Sequence, residues 1–364
     1  MKILVLGTRG IPDVLGGVET HCQELYPRLV DLGCDIRLIT RTPYVAIENR
    51  AKSYNGVQLK HIFAPKKKSI EAIVHTFLGV LYARFYCPDI LHVHAIGPSL
   101  MVPLARLLGL RVVVTHHGPD YDRQKWGVWA KRILKLGEYG AAKFSNQIIV
   151  ISNVIGKILE TKYNRAGTIL IHNGVNLAVK DNNCDYIHSL GLVPGNFMIA
   201  VGRFVEEKGF HDLINAYKRL NSQDLKLVLV GDADHETVYS SSLKKMAHEN
   251  GVILTGFIKG SKLQQIFTSA KLFVMPSYHE GLPIALLEAM SYDLPVLVSD
   301  IPANLEVELN NSDYFKLGDD DDFVNKLKMK SEQSDLPDYS KKLNKEYNWD
   351  IVAKETYKVY KELL

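Results

Sequence analysis

The segment Pro276-Ser277-Tyr278-His279-Glu280-Gly281-Leu282-Pro283 leads into Ile284–Met290, and Glu280 and Glu288 stand in a Glu-x7-Glu spacing. An apolar run ending at Pro276, a glycine loop and a proline suited to the first turn of a helix put Glu280 on the loop. Glu288 then falls about one and a half turns into the helix. A carboxylate can accept hydrogen bonds from paired hydroxyls, each charge-assisted bond contributing roughly 1.5–3 kcal/mol. The amides near Gly281 and Leu282, just ahead of the helix, suit an anion or a sugar hydroxyl. By residue type alone, a capping Glu280 and a solvated Glu288 fit equally well.

Two cations form the second candidate. Arg203 follows the apolar run Phe197–Val201, and Lys208 precedes a helical pattern that begins at Phe210. A diphosphate suits such a pair, because arginine binds it bidentately and lysine acts as a point charge. Two surface cations paired with Glu206 and Glu207 are the plainer alternative. The third candidate, Gly16 and Gly17 ahead of Val18-Glu19, would let backbone approach a ligand at a helix N-terminus. Gly7-x-x-Gly10 with Gly16-Gly17 is not a dinucleotide fingerprint, and no Walker lysine follows. The fourth is Thr115-His116-His117-Gly118. Adjacent histidines at a strand end suggest metal, but no further ligand at metal spacing stands beside them, so no metal site is predicted. His92 and His94 end another strand, with core roles favoured over a place beside an acceptor pocket.

These residues need elements to hold them. Short apolar runs at Lys2–Gly7, Asp35–Thr40, Ile90–His94, Arg111–Thr115 and Gln147–Ile151 read as strands buried on both faces. Helical patterns such as Val18–Leu32 alternate with them. The rhythm restarts with Phe197–Val201, Leu225–Val230, Val252–Thr255, Leu272–Pro276 and Pro295–Val298. Two successive Rossmann-like α/β halves are predicted, with a seam near His172-Asn173-Gly174-Val175 and the polar stretch Asp181–Asp185. The expected division is 1–174, 175–345, and a terminal amphipathic helix in 346–364 that returns to the first domain. Asn173 is a candidate hinge or base contact, Asp300–Asn304 a candidate lining of a nucleotide pocket, and Asp319–Asp322 a solvated turn or helix start. In open α/β sheets ligands bind beyond the carboxyl ends of the strands, where the candidates fall.

Composition sets the outer bounds. The 364 residues carry 44 Lys+Arg against 40 Asp+Glu, with 46% hydrophobic and 23% charged residues, which excludes collagen-like, disordered and disulfide-scaffold classes. The length exceeds the roughly 250–300 residues at which one core stops growing. Four scattered cysteines suit free thiols in a reducing compartment. No run reaches the ~18–20 apolar residues of a membrane span, and the apolar start is too short for a signal peptide. A cytoplasmic protein is expected, and the small net charge of +4 gives no reason to expect nucleic acid.

The motifs together resemble the retaining glycosyltransferases of the GT-B fold, family 4. The likeness runs from Gly7-Thr8-Arg9-Gly10-Ile11-Pro12 with Gly16-Gly17-Val18-Glu19, through Thr115–Gly118 and Asn173-Gly174-Val175. It continues to Val201-Gly202-Arg203 with Lys208-Gly209, Gly256-Phe257 and the Glu-x7-Glu segment. The opening motif resembles the subgroup of bacterial rhamnosyltransferases and other surface-polysaccharide enzymes. The resemblance implies two Rossmann-like domains facing across a cleft and a nucleoside diphosphate sugar as donor. A saccharide or polyprenyl-linked acceptor and no essential metal or other cofactor are also implied. Glu280 and His117 would contact the donor sugar, Glu288 the ribose, Arg203 and Lys208 the diphosphate, and Gly17 the donor phosphate or the acceptor. An epimerase on the same fold, or a two-domain protein that only binds its ligand, is the competing reading. Peripheral contact with the inner membrane surface is a further expectation. It rests on Pro65-Lys66-Lys67-Lys68 beside the aromatic stretch Ile70–Tyr86, and on Arg123-Gln124-Lys125-Trp126 with Trp129, Lys131 and Arg132. Ordinary packing with a solvated rim is the alternative there.

Overall fold

The computed structural model describes residues 1–14, 16–45, 50–65, 70–122, 127–222, 224–233 and 235–364. Met1–Gly174 with Tyr347–Leu364 form one compact unit, and Val175–Glu346 form the other.

The first unit holds strands β1 (Lys2–Leu6), β2 (Asp35–Arg41), β3 (Ser53–Tyr54), β4 (Val57–Ile62), β5 (Ile90–His94), β6 (Val112–His116), β7 (Gln147–Val150) and β8 (Ile169–Leu170). Their order is β3-β4-β2-β1-β5-β6-β7-β8, and every pairing is parallel except β3 with β4. Side chains alternate across a strand, and β1 shows the consequence. Ile3 and Val5 join Leu25, Tyr26 and Leu29 of helix Gly17–Asp31, together with Trp349, Val352 and Tyr360 of helix Trp349–Leu363. Leu4 and Leu6 face the other layer, with Val80, Ala83, Ala105 and Ala141.

The second unit holds β9 (Phe197–Val201), β10 (Lys226–Val230), β11 (Ile253–Leu254), β12 (Leu272–Met275), β13 (Val296–Ser299) and β14 (Tyr314–Phe315). All pair in parallel in the order β11-β10-β9-β12-β13-β14. From β9 the chain first winds one way to β10 and β11, then returns to the other side of β9 at β12. The loops after β9 and β12 therefore part at a topological switch point, where open α/β sheets leave a crevice for ligands.

Two Rossmann-like α/β domains with parallel sheets are thus present. The predicted strands fall within one or two residues of the observed ones. Strands β3, β4, β8 and β14 were not anticipated. Pro283 is the N-cap of helix Ile284–Ser291 rather than a member of its first turn. Asp319 caps helix Asp320–Glu332, its side chain accepting from the Asp322 amide at 3.0 Å.

Candidate active site

Lys208 and Glu280 meet at the switch point of the second sheet. Lys208 closes a single 3-10 turn, Glu206–Lys208, and Gly209 follows at φ 64 to start helix Phe210–Leu220. A Cβ on Gly209 would lie 2.1 Å from the Pro276 carbonyl oxygen. Glycine there lets the β9 loop touch the β12 loop. The Tyr278 amide ties the two loops by donating to the Glu207 carbonyl at 2.8 Å.

Across this seam Lys208 Nζ donates to Glu280 Oε1 at 2.5 Å, with side chains 20% and 12% exposed. Ser277 Oγ, fully buried, donates to the same oxygen at 2.7 Å. Ser299 in turn donates to the Ser277 carbonyl at 2.6 Å, and Asn304 Nδ2 to the Ser299 carbonyl at 2.8 Å. Ser277 therefore positions the carboxylate, and Ser299 and Asn304 position Ser277. Nothing about Ser277 marks it for this role in the chain's residue pattern beyond its place three residues before Glu280. Asp300 accepts from the Leu317 amide at 2.9 Å, which ties the segment after β13 to the segment after β14.

Arg203 is half-buried just past β9, and the Lys208 stem packs over neighbouring Gly202. Gly281 lies on the loop, Leu282 is buried, and Glu288 is half-buried on helix Ile284–Ser291. Burial, aided by the Glu288 charge, pushes the Tyr292 hydroxyl up to about 12. A lysine paired with a carboxylate at a sheet's switch point can hold a phosphate and orient hydroxyls together.

In the first unit, Gly16 sits at φ 143 and Gly17 begins the helix. Glu19 folds back from that helix: its Oε1 accepts the Arg9 amide at 2.9 Å and the Thr8 hydroxyl at 3.3 Å. It thereby fixes the loop after β1. The two adjacent histidines take opposite faces of the sheet. His116 Nδ1 accepts from the Gly118 amide at 3.1 Å and Nε2 lies 2.9 Å from Glu138, both side chains fully buried. Burial alone would raise the Glu138 carboxyl, but hydrogen bonding and charge from His116, with the Tyr163 and Tyr121 hydroxyls, outweigh it and lower the group.

His117 instead joins a cluster absent from the sequence reading. His94 Nδ1 lies 2.9 Å from His117 Nε2, and His21 packs against both rings. His21 Nδ1 is 2.8 Å from Asn173 Oδ1, so Asn173 joins this cluster. His92, fully buried, contacts Thr115 at 2.7 Å and the Tyr360 hydroxyl at 2.5 Å. Burial depresses all four rings. His21 falls to about 4 and His92 to about 3, while burial, with the neighbouring imidazoles adding to it, holds His94 and His117 well below the ordinary histidine range.

Contrary to the sequence expectation, further ligand types do stand beside the histidine pair: tertiary folding brings His21 and His94, remote in sequence, against His117. An Asp-x-Asp triplet, Asp232-Ala233-Asp234, follows β10 where none was expected, so the expectation of no essential metal does not rest on the lack of such a motif. Asp232 pairs with Lys244 at 2.8 Å, and Asp234 lies outside the described residues.

The membrane expectation falls partly on Lys66–Lys68 and Arg123–Trp126, outside the described residues. Of the remainder, Phe85 and Trp129 are exposed, at 86% and 75%, with Arg132 over the Trp129 ring. Tyr82 and Tyr86 stack on each other, and Lys2 and Arg37 lie over Tyr86. Among the described residues no helix is long and apolar enough to cross a membrane.

Two Rossmann-like domains of this kind are the GT-B architecture, and solved structures share that fold: Anabaena HepE, in complex with UDP and glucose, superposes with a TM-score of 0.80 at 16% identity over the whole of both chains. Residues 15–179 match Glycosyltransferase Family 4, and residues 189–346 match Glycosyl transferases group 1. The chain belongs to the glycosyltransferases. It is 26% identical to an uncharacterized glycosyltransferase of Methanocaldococcus jannaschii, covering 99% of this chain and 98% of that one. It is 31% identical to the UDP-Gal:alpha-D-GlcNAc-diphosphoundecaprenol alpha-1,3-galactosyltransferase of Escherichia coli, covering 66% and 65%.

Proposed function

We propose that this glycosyltransferase moves a sugar, with retention of anomeric configuration, from a nucleoside diphosphate donor to a saccharide or polyprenyl-linked acceptor in bacterial surface-polysaccharide assembly. One observation carries the reading: Lys208 and Glu280, 2.5 Å apart, stand on the two loops that part at the second sheet's switch point. The donor and acceptor in the names of the similar proteins support the substrate classes.

In this reading Arg203 and Lys208 hold the diphosphate and balance charge as it departs, so no metal is needed for that task. Glu280, set by Ser277, receives the sugar hydroxyls, and Glu288 receives the ribose. His117, neutral because burial depresses its ring, helps to orient the sugar. The bond from the anomeric carbon to the phosphate oxygen breaks as the acceptor oxygen attacks from the same face. The acceptor proton passes to the departing phosphate oxygen. Work at the inner face of the membrane would suit a polyprenyl-linked acceptor, with the exposed Trp129 helix at the lipid.

A thermal-shift panel of UDP-, GDP-, dTDP- and ADP-sugars identifies the donor, since binding stabilises by mass action. Transfer with that donor is expected to survive EDTA and to yield an axial or equatorial linkage matching the donor's, read by NMR coupling constants. Inversion, or turnover that needs added metal, contradicts the corresponding part of the proposal. Donor conversion without any acceptor would favour an epimerase.

A further inference from the structure

We propose that His21, His94 and His117 form a binding site for a transition-metal dication of the zinc class, ligated by one imidazole nitrogen from each ring. Three such nitrogens lie within 4.8 Å of one another, and His94 Nδ1 and His117 Nε2 are already 2.9 Å apart. Zinc–nitrogen bonds of about 2.0–2.1 Å in a tetrahedral site separate the ligand atoms by roughly 3.3–3.4 Å. Small side-chain adjustments therefore close the cluster on an ion.

His21 supplies the independent observation. Its Nδ1 faces the Asn173 amide oxygen at 2.8 Å. That oxygen only accepts, so the ring proton sits on Nδ1 and Nε2 presents a bare lone pair. His21 is 2% exposed, and its Nε2 has no hydrogen-bond partner. A buried acceptor left unsatisfied keeps its desolvation penalty, and a cation would remove it.

The surroundings fit. Ligating histidines usually give their other N–H to an oxygen. Asn173 fills that role for His21, and the Tyr26 hydroxyl oxygen stands at His94 Nε2, placed to accept a hydrogen bond from Nε2–H once Nδ1 ligates and the ring proton sits on Nε2. Neutral imidazole is the ligating form. Three imidazoles with no carboxylate favour zinc, cobalt or nickel over magnesium or calcium. His117 is only half-buried, which gives an ion entry and leaves a fourth position for water. The site shares His117 with the transfer reading, but its test reads bound metal rather than product, so failure of the one is distinguishable from failure of the other.

Untagged full-length protein, stripped with chelator, is titrated with Co²⁺ and then with Zn²⁺. One equivalent of Co²⁺ is expected to give the visible absorption of a low-symmetry nitrogen site, and Zn²⁺ to displace it. His21→Gln should abolish that band with circular dichroism unchanged. Asn173→Ala should weaken binding by roughly 10–100-fold, while Asn173→Asp, which keeps the acceptor for His21 Nδ1, should hold it. If His21→Gln does not fold, the two Asn173 variants decide. No stoichiometric metal in the wild type, or equal affinity in all folded variants, overturns the proposal.

Discussion

A carboxylate is useful at a sugar site only if something fixes its direction. Ser277 and Lys208 both donate to Glu280 Oε1, so the side chain is oriented before any ligand arrives. Removing one pre-placed electrostatic contact typically lowers turnover by about 10²–10³-fold. Lys208→Ala and Glu280→Ala should each lower kcat/KM by that order in a folded protein. Ser277→Ala should cost less and fall mainly on kcat, because it loosens the carboxylate without removing it. A KM effect alone would argue against that positioning role.

The buried histidines give a pH dependence at the same scale. His21 and His75 are lowered by burial to about 4 and His92 to about 3, against an ordinary value near 6.5. As pH falls below about 6.5 the unfolded chain takes up protons that the folded chain refuses, so stability is lost progressively down to about pH 4. Urea midpoints should therefore fall between pH 7 and pH 5. A level midpoint contradicts neutral rings in the folded state.

Glu280, Lys208 and Arg203 were legible in the sequence because each follows an apolar run that had to be a strand, and loops after such strands carry ligands. The histidine cluster was not, since its members come from helix Gly17–Asp31, β5 and the end of β6. Only the pairing of His94 with Thr115 in register, and the helix laid over that face, bring them together.

At the scale of elements, the buried parallel strands were legible because they are nearly all apolar. Strand β4 was not, because Gln58 and Lys60 interrupt it and it is only partly buried, and β3, β8 and β14 have two residues each. The contact between the β9 and β12 loops depends on one backbone position. Gly209→Ala would force a Cβ into the Pro276 carbonyl at a left-handed φ, where strain costs of order 1–3 kcal/mol. A lower denaturation midpoint and weaker donor binding are expected together. A variant with wild-type values for both would show that the two loops need not touch.

For the whole molecule, the last helix completes the first unit's core. Trp349, Val352, Ala353, Val359 and Tyr360 are buried with Ile3, Val5 and Tyr26, and Tyr360 reaches His92. Deleting Tyr347–Leu364 should strip the layer over helix Gly17–Asp31 and leave the N-terminal unit aggregation-prone, measured by dye binding and limited proteolysis. Unchanged proteolytic resistance of Met1–Gly174 would contradict this. The terminal pattern was legible as amphipathic, but the surface it covers depends on the chain's return past Glu346, which periodicity does not record.

The most direct measurement is a crystal structure with an intact or hydrolysed nucleoside diphosphate sugar. The pyrophosphate is predicted to lie against Arg203 and the Lys208 ammonium, with sugar hydroxyls donating to Glu280. A pyrophosphate bound away from the loops after β9 and β12 would contradict the assignment.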